Sequence, residues 1–318
     1  MNDSTESMRL LLELALNSGK KRKSDQTGYL HHCYHLNEHE SHLPIPLVEN
    51  FMFALALLRS RLIENIQEAK TVLEGLLHFQ NTNPQDLSYG NFPIYLHEFP
   101  NCKDRFIGIQ VASVIYWILR QFHQVIGQDL KKRLEESLVL SVKHALHTYQ
   151  EKPSTYPTAV KIAATAIAAG HLLGNNQLEC DGSAMLEHLR ENLDELSLYS
   201  PTSLGALVTS LMMVYPILKN SPWKFLWELC QSTWHQGTAS YAGPAFREWQ
   251  QKGEPQVTLY DLICGYLSNA FSDRALKEAP VHLEAVLIPF TDERFELPSY
   301  PFEISGTING ANWLIASK

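Results

Sequence analysis

The sequence predicts an all-α protein. Its helical hairpins are expected to form a complete or incomplete α/α toroid, followed by a short irregular or β-like tail. Apolar residues recur at a spacing of three to four through most of the 318 residues. Segments that are apolar all round alternate with amphipathic segments, and this alternation is typical of an inner and an outer layer of helices. An open α-solenoid is the competing arrangement, but the chain shows no fixed short repeat.

The elements follow from this periodicity. A first helix is predicted over about residues 4–18, and a polar, His-rich loop over about 19–43. Residues 47–80 are typical of a helix pair divided near Arg59–Leu62, or of one long helix. Inner helices are expected to start near Arg105, Tyr156, Ser203 and Thr258, and outer helices near Gln128, Ser183 and Pro222. Proline after serine at Ser200-Pro201 and Ser221-Pro222 supports two of these starts.

The chain is expected to divide into three parts. Residues 1–43 hold the first helix and the His-rich loop, and residues 44–290 hold the helical toroid. Residues 291–318 are rich in Pro, Gly and Asn with β-branched alternation, which predicts a strand, a hairpin or an extended tail.

Composition limits the function classes. The formal net charge of −8 disfavours binding to a nucleic-acid backbone, which requires a basic surface. The five cysteines are scattered without a CxxC pair, which favours a reducing compartment. The N-terminus places acids before its short apolar run and bases after it, unlike a secretory signal, and no uncharged run is long enough to span a bilayer. We therefore expect a cytoplasmic protein with no cofactor and no membrane partner, whose oligomeric state the sequence does not indicate.

The His-rich loop invites a metal interpretation. His31, His32, Cys33, His35, Glu38, His39 and His42 are all ligand types that zinc accepts. The surrounding segment is polar and without apolar anchors to hold a coordination geometry. The sequence therefore predicts a mobile loop between about residues 19 and 43, without a bound metal.

Two loops concentrate aromatic, amide and charged side chains, one from Tyr89 to Arg105 and the other from Tyr241 to Gln250. Aromatic rings offer stacking faces for sugars, and amides and charges bind hydroxyls or carboxylates. Each loop leads into an apolar helix. Because the inner helices of a hairpin toroid run in one direction, their leading loops gather at one end. We therefore expect both loops at one mouth, with Asn91, Arg247 and an acid in a shared pocket.

The segments GNFPIY and AGPAFREW resemble motifs of a family of uncharacterised bacterial and fungal α/α-toroid proteins, related in architecture to six-hairpin glycosidases and toroid polysaccharide lyases. The matching positions are Gly90, Asn91, Phe92, Tyr95, Glu98, Asp104, Arg105, Gly243, Pro244, Arg247 and Trp249. The resemblance implies a carbohydrate-related function and a glycan, or another small polar ligand, as partner. It fixes no catalytic role. Many such proteins continue into a β-rich domain about where this chain stops, and that domain closes one side of the cleft.

A hydrolase requires one protonated and one ionised carboxyl across the scissile bond. The loop acids nominated for this are Glu98, Asp104 and Asp261. A lyase requires a base, for which Tyr156, Tyr241 or His97 are available, and a group such as Asn91 or Arg247 to neutralise a uronate. The predicted catalytic residues are therefore Glu98, Asp104, Tyr156 and Asp261. The predicted substrate-binding residues are Asn91, Tyr95, His97, Tyr241, Arg247 and Trp249.

Each nominated residue also has a structural interpretation, as a turn residue, a helix cap, a core aromatic or an ion-pair clamp. The sequence leaves open whether the chain is an enzyme or a non-catalytic binding or scaffold protein. Paired carboxylates lining one deep, aromatic-walled pocket would favour an enzyme, and a filled or acid-free centre would favour binding.

Overall fold

The computed structural model describes residues 3–34, 43–218, 224–243, 257–277, 280–291, 302–308 and 311–317. Helices dominate these residues, as the sequence predicts. The helices are α1 (Asp3–Lys20), α2 (Leu47–Arg59), α3 (Ile63–Leu76), α4 (Ile107–Phe122), α5 (Gln128–Glu151), α6 (Tyr156–Leu173), α7 (Asn176–Glu191), α8 (Pro201–Val214), α9 (Lys224–Thr233), α10 (Leu259–Ser268) and α11 (Pro280–Glu284). The strands are β1 (Trp234–His235), β2 (Ser240–Tyr241), β3 (Phe302–Ile308) and β4 (Ala311–Ser317).

Heavily buried and lightly buried helices alternate along the chain. Twelve of the 16 residues of α4 are buried, but only nine of the 24 in α5. The same contrast separates α6, with 12 of 18 residues buried, from α7, with four of 16. The expected difference in burial between the apolar and the amphipathic helices is therefore confirmed.

Each heavily buried helix packs against the helix that follows it and against the next heavily buried one. The contacts run from α2 to α4, α6, α8 and α10 in that order. Helices α1 and α11 both contact α10 and α2, so that the series returns to its first member. The N-terminal helix, grouped with the His-rich loop from sequence, thus packs against the body, where its Leu11 and Ala15 are buried.

Side-chain contacts show that several of the buried helices run in the same direction. Near their N-terminal ends, Lys161 of α6 donates a hydrogen bond to Gln110 of α4. Near their C-terminal ends, Arg59 Nε of α2 donates to Gln121 Oε1 of α4 at 3.2 Å, and Tyr116 of α4 donates to the carbonyl of Met213 in α8 at 3.4 Å. The N-terminal ends of these helices therefore lie together, and so do their C-terminal ends.

Local differences from the predicted elements have physical reasons. The chain does divide between α2 and α3, where Arg61 has a φ of 58°. Helix α7 starts well before Ser183, because the Asn175 side chain accepts a hydrogen bond from the Leu178 N–H and caps the helix at Asn176. Helix α9 stops at Thr233, where Trp234 pairs with Tyr241 in the short β1–β2 hairpin. The C-terminal strands β3 and β4 pair antiparallel, which confirms a hairpin in the tail.

The first part of the His-rich loop is anchored. Leu30 is fully buried, its N–H donates to Asn50 Oδ1 at 2.8 Å, and Asn50 Nδ2 donates back to its carbonyl at 3.1 Å. His31 is also buried, with Nδ1 at 2.6 Å from the Leu43 carbonyl oxygen. The expectation that this segment lacks an apolar anchor is wrong. Residues 35–42, with His35, His39 and His42, lie outside the described residues.

Candidate functional site

The loop that carries GNFPIY is fixed to the start of α4 by Asn91. The Asn91 Nδ2 donates to the Asp104 carbonyl at 2.7 Å, and its Oδ1 accepts from the Gly108 N–H at 2.7 Å. Asn91 is fully buried, and its neighbour Gly90 has a φ of 91°, where a Cβ would lie 2.5 Å from the Leu140 carbonyl oxygen. Asn91 therefore holds the loop against the core and is not exposed to a ligand.

The same loop pairs with the segment that leads into α2. Pro46 and Tyr95 form an isolated antiparallel bridge, the Leu47 N–H donates to the Ile94 carbonyl at 3.0 Å, and the Leu96 N–H donates to the Ile45 carbonyl at 2.9 Å. Tyr95 is thereby fixed beside the first turn of α2. That turn carries Glu49, which the sequence analysis did not single out.

Around Glu49 lies a set of polar side chains from six parts of the chain, which we call the Glu49–Glu284 cluster. It consists of Tyr34, Glu49, Tyr95, Gln110, Lys161 and Glu284. The Tyr34 hydroxyl donates to Glu49 Oε2 at 2.7 Å. Glu284, at the end of α11, is near enough to Lys161 and Glu49 for both charges to change its pKa. The cluster thus brings two carboxyls and one ammonium group together.

The charges of this cluster do not form a closed ion-pair network. Among the residues that the structure describes, Glu284 has no hydrogen-bond or ion-pair partner within 4.0 Å, and the direct partner of Lys161 is the Gln110 amide. Glu49, Lys161 and Glu284 nevertheless all keep part of their surface accessible to solvent. Buried charges normally pair directly, because desolvation is costly. The three charged groups are thus surrounded by protein and still reached by water.

Burial makes both carboxyls weaker acids than an ordinary glutamate. It raises the pKa of Glu284 to about 7, while Lys161 acts to lower this pKa and Glu49 to raise it. Burial also raises the pKa of Glu49, but the hydrogen bond from Tyr34 and the charge of Arg22 act in the opposite direction. The pKa of Lys161 is lowered by burial to about 8. Near neutral pH, Glu284 therefore holds a proton part of the time, whereas Glu49 has groups that stabilise its ionised form.

Aromatic rings form one wall of the cluster. The Tyr34 ring is 45 % exposed, although burial raises the pKa of its hydroxyl, which lies on the Glu49 side. The rings of Tyr34 and Tyr95 have centroids 5.6 Å apart, and the Tyr95 and His97 rings stack at 5.8 Å. The Tyr34 N–H donates to the Tyr95 hydroxyl at 3.2 Å. Of the predicted binding residues, Tyr95 therefore lies near Glu49, and His97 stacks on Tyr95.

The two acids predicted in this loop have local roles. Glu98 Oε2 accepts from the Tyr95 N–H at 3.4 Å, within its own turn. Asp104 is exposed, and its Oδ1 accepts from the Phe106 N–H at 2.7 Å just before α4. Neither carboxyl contacts Glu49 or Glu284.

The remaining predicted residues lie apart from the cluster. Tyr156 is buried, and its hydroxyl donates to the Leu189 carbonyl at 2.9 Å. Asp261 accepts hydrogen bonds from the N–H and hydroxyl of Thr258 and caps α10; burial raises its pKa. Tyr241 packs edge-on against Tyr260. Arg247 and Trp249 lie outside the described residues, so the meeting of the two predicted loops stays a prediction.

A groove lies between α5 and α7, and none of the cluster residues lines it. This groove has a volume of about 230 Å³, and Lys143, His147, Asn175 and Asp181 are among the residues that line it. Asp181 is its one acidic lining residue. The groove has neither the paired carboxyls nor the aromatic wall of the Glu49–Glu284 cluster, and we regard the cluster as the candidate site.

The sequence contained a signal for this cluster. Lys161 is the only Asp, Glu, Lys or Arg residue in α6, and Glu49 is the only acid in α2. A solitary charge in a helix that is otherwise apolar requires a partner or a solvated cavity. Such charges, compared across helices, would have pointed to Glu49, Lys161 and Glu284. Only the three-dimensional structure shows that Tyr34 joins them.

No group of three His, Cys, Asp or Glu side chains in the described part of the chain is arranged to hold a metal ion. Within the same residues, no helix has both the length and the apolar character that crossing a membrane requires. Comparison of the chain with known protein families, with curated proteins and with solved structures found no match. The function of this chain is therefore inferred from the geometry of the site.

Proposed function

We propose that this chain is an α/α toroid that hydrolyses a glycosidic bond, with Glu49 and Glu284 as its two working carboxyls. The toroid is supported by the order of contacts, which runs through five buried helices and returns to α2 by way of α1 and α11. The buried helices that run in the same direction collect Glu49, Gln110 and Lys161 near their N-terminal ends.

The observation that carries the hydrolase proposal is a pair of partly exposed carboxyls with raised pKa values, one of which accepts a hydrogen bond from an exposed tyrosine. Glycoside hydrolysis requires an acid that protonates the leaving oxygen and a carboxylate that acts as base or nucleophile. Glu284, whose pKa is raised to about 7, is suited to the first role. Glu49, which accepts a hydrogen bond from Tyr34, is suited to the second.

Lys161 has a supporting electrostatic role in this proposal. Its charge lowers the pKa of Glu284, which burial and Glu49 both raise. The proton of Glu284 is therefore held firmly enough to be present near neutral pH and loosely enough to be donated. A polysaccharide lyase is less well supported. Of its three predicted bases, Tyr156 already donates its hydroxyl to the Leu189 carbonyl and Tyr241 packs against Tyr260, which leaves His97.

The test is turnover of a glycan panel by the whole chain and by Glu284→Gln and Glu49→Gln. The panel consists of chromogenic monoglycosides and of gluco-, manno-, xylo- and chito-oligosaccharides with one to six sugars. Each substitution should lower kcat by roughly 10²- to 10⁴-fold, the usual contribution of a positioned acid or base. Glu136→Gln, which changes an exposed acid, is the matched control.

Two outcomes would contradict the proposal. Equal turnover by the chain and by both substituted variants would remove Glu49 and Glu284 from the reaction. Binding of a panel member without turnover at any pH from 5 to 8 would instead identify the chain as a non-catalytic glycan-binding protein.

A further inference from the structure

We propose that Tyr34 and His97 are stacking platforms for two successive sugar rings beside Glu49, so that the substrate is an oligosaccharide and not a simple monoglycoside. This inference rests on the proposed glycan site and specifies its substrate class. It assigns a function to Tyr34, which lies in the loop predicted to be mobile.

The two ends of the Tyr34 side chain are in different environments. Its hydroxyl donates to Glu49 at 2.7 Å, while 45 % of the residue surface remains exposed. An exposed aromatic ring offers a flat apolar face on which a sugar can stack. The exposed ring is thus joined, through the hydrogen bond of its own hydroxyl, to the carboxylate that acts on the sugar in this proposal. A pyranose ring stacked on Tyr34 would therefore have its reacting carbon close to Glu49.

The neighbouring residues hold the Tyr34 ring in place. The Tyr34 N–H donates to the Tyr95 hydroxyl at 3.2 Å, and the edge of His32 packs against its ring at 5.6 Å. Tyr95 is itself fixed by the backbone bridge to Pro46. A preorganised ring loses little conformational freedom when a ligand binds, which is the property that a stacking platform requires.

The aromatic row continues beyond Tyr34. Tyr95 lies 5.6 Å from Tyr34 and 5.8 Å from His97, with an interplanar angle of only 11° to the His97 ring. Tyr95 is partly buried between the two, whereas Tyr34 and His97 are the exposed rings. Two exposed rings, those of Tyr34 and His97, therefore each contact Tyr95, and in this proposal each holds one of two linked sugars.

Charge also limits the substrate. The acids of the cluster, Glu49 and Glu284, outnumber its one cation, Lys161. At pH 8, Glu284 is mostly ionised and Lys161 is only partly charged. A uronate carboxylate placed among them would then be repelled by two carboxylates and attracted by a partial ammonium charge. We therefore expect uncharged sugars to be preferred over uronic acids.

The experiment compares kcat/KM against chain length for the unsubstituted chain and for Tyr34→Ala, Tyr34→Phe and His97→Ala. The probes are the neutral oligosaccharides of the panel with one to six sugars, together with oligogalacturonates of equal length. Tyr34→Ala should lower kcat/KM on neutral oligosaccharides roughly 10- to 100-fold, mainly through KM. His97→Ala should remove most of the gain on passing from one sugar to two.

Tyr34→Phe separates stacking from the hydrogen bond to Glu49. It keeps the ring, so the dependence on chain length should remain. Its pH–rate profile should shift, because the bond that stabilises ionised Glu49 is lost. A merely structural role of Tyr34 would leave the chain-length dependence unchanged in Tyr34→Ala as well as in Tyr34→Phe. Tyr199→Ala, which removes a similarly exposed tyrosine elsewhere, is the control.

Binding is measured in parallel by calorimetry on Glu284→Gln, so that the platform is tested even if nothing is turned over. Binding that strengthens from one sugar to two and weakens in the Tyr34→Ala and His97→Ala backgrounds supports the platforms, with or without hydrolysis. Hydrolysis with equal kcat/KM for one and two sugars would overturn the platforms and leave the hydrolase proposal intact. If no neutral probe were either bound or turned over, both the platforms and the hydrolase proposal would be overturned. A preference for oligogalacturonates over neutral oligosaccharides would overturn the inferred substrate class.

Discussion

Lys161 and Glu284 show how single charges are placed within apolar helices of this protein. Lys161 is surrounded by the alanines of α6, and Glu284 ends the short helix α11. Each is desolvated. The pKa of Lys161 is lowered and that of Glu284 is raised, and both shifts favour the neutral form of the group. Desolvation of this kind costs stability, and proteins commonly accept such costs at functional sites.

Glu284 makes stability depend on pH in a direction opposite to that of most carboxyls. Its pKa is raised from 4.5 to about 7 on folding, so the folded chain binds this proton more tightly than the unfolded chain. Its contribution is present below about pH 4.5 and is lost as the pH rises to about 7. At pH 8 the loss amounts to roughly 3 kcal/mol at most, at 1.36 kcal/mol for each pKa unit.

Urea unfolding of the unsubstituted chain and of Glu284→Gln at several pH values between 4.5 and 8 measures this contribution. The substituted chain should gain stability relative to the unsubstituted one as the pH rises through this range. The same comparison with Glu136→Gln is the control for replacing an exposed carboxyl by an amide. Parallel stability curves for Glu284→Gln would show that Glu284 has an ordinary acidity.

The sequence predicted some of the site residues and missed others for identifiable reasons. Tyr95 and His97 were found because they lie in a loop rich in turn residues and aromatics. Tyr34 was missed because the sequence around it is mostly polar, which gave no sign that Leu30 is buried and anchors the loop. Glu49 was missed because it is embedded in an apolar run, where a lone acid is easily read as a helix-start residue.

At the scale of elements, close helix packing depends on small residues. Gly182 of α7 faces α6, where a Cβ added at this position would lie 2.8 Å from the Ala163 carbonyl oxygen and 2.8 Å from the Ile167 nitrogen. Both atoms belong to the backbone of α6 and cannot rotate away. The α6–α7 hairpin therefore requires glycine at this position.

Gly182→Ala should lower the free energy of unfolding by roughly 1–3 kcal/mol, the usual cost of overpacking, even though alanine favours helix formation. Chemical denaturation measures the difference. Ser183→Ala, at the exposed neighbouring position, should change stability by less than about 0.5 kcal/mol. If Gly182→Ala were as stable as the unsubstituted chain, the two helices would have to be further apart than in the structure.

The same helices show what periodicity predicts well. The alternation of apolar and amphipathic segments correctly predicted which helices are more buried, because burial follows directly from the distribution of apolar side chains. Helix ends were predicted less well. The start of α7 depends on one capping hydrogen bond from Asn175, and the end of α9 on the pairing of Trp234 with Tyr241. Both are contacts that periodicity does not encode.

At the scale of the whole molecule, the central claim is that the buried helices bring Glu49, Lys161 and Glu284 to one ligand site. The order of helix contacts explains how charges far apart in sequence meet, since α1 and α11 connect the last buried helix to the first. Long-range closure of this kind is not visible in local patterns. This is why the predicted acids Glu98, Asp104 and Asp261 were chosen from loops instead.

The most direct test is a crystal structure of Glu284→Gln with the oligosaccharide that binds best in the panel. The account predicts electron density for sugar rings against Tyr34 and His97, with one ring between Glu49 and residue 284 and within hydrogen-bond distance of both. Density confined to the groove between α5 and α7, near Lys143 and Asp181, would contradict the account. So would a ligand bound with Glu49 and residue 284 both beyond contact distance.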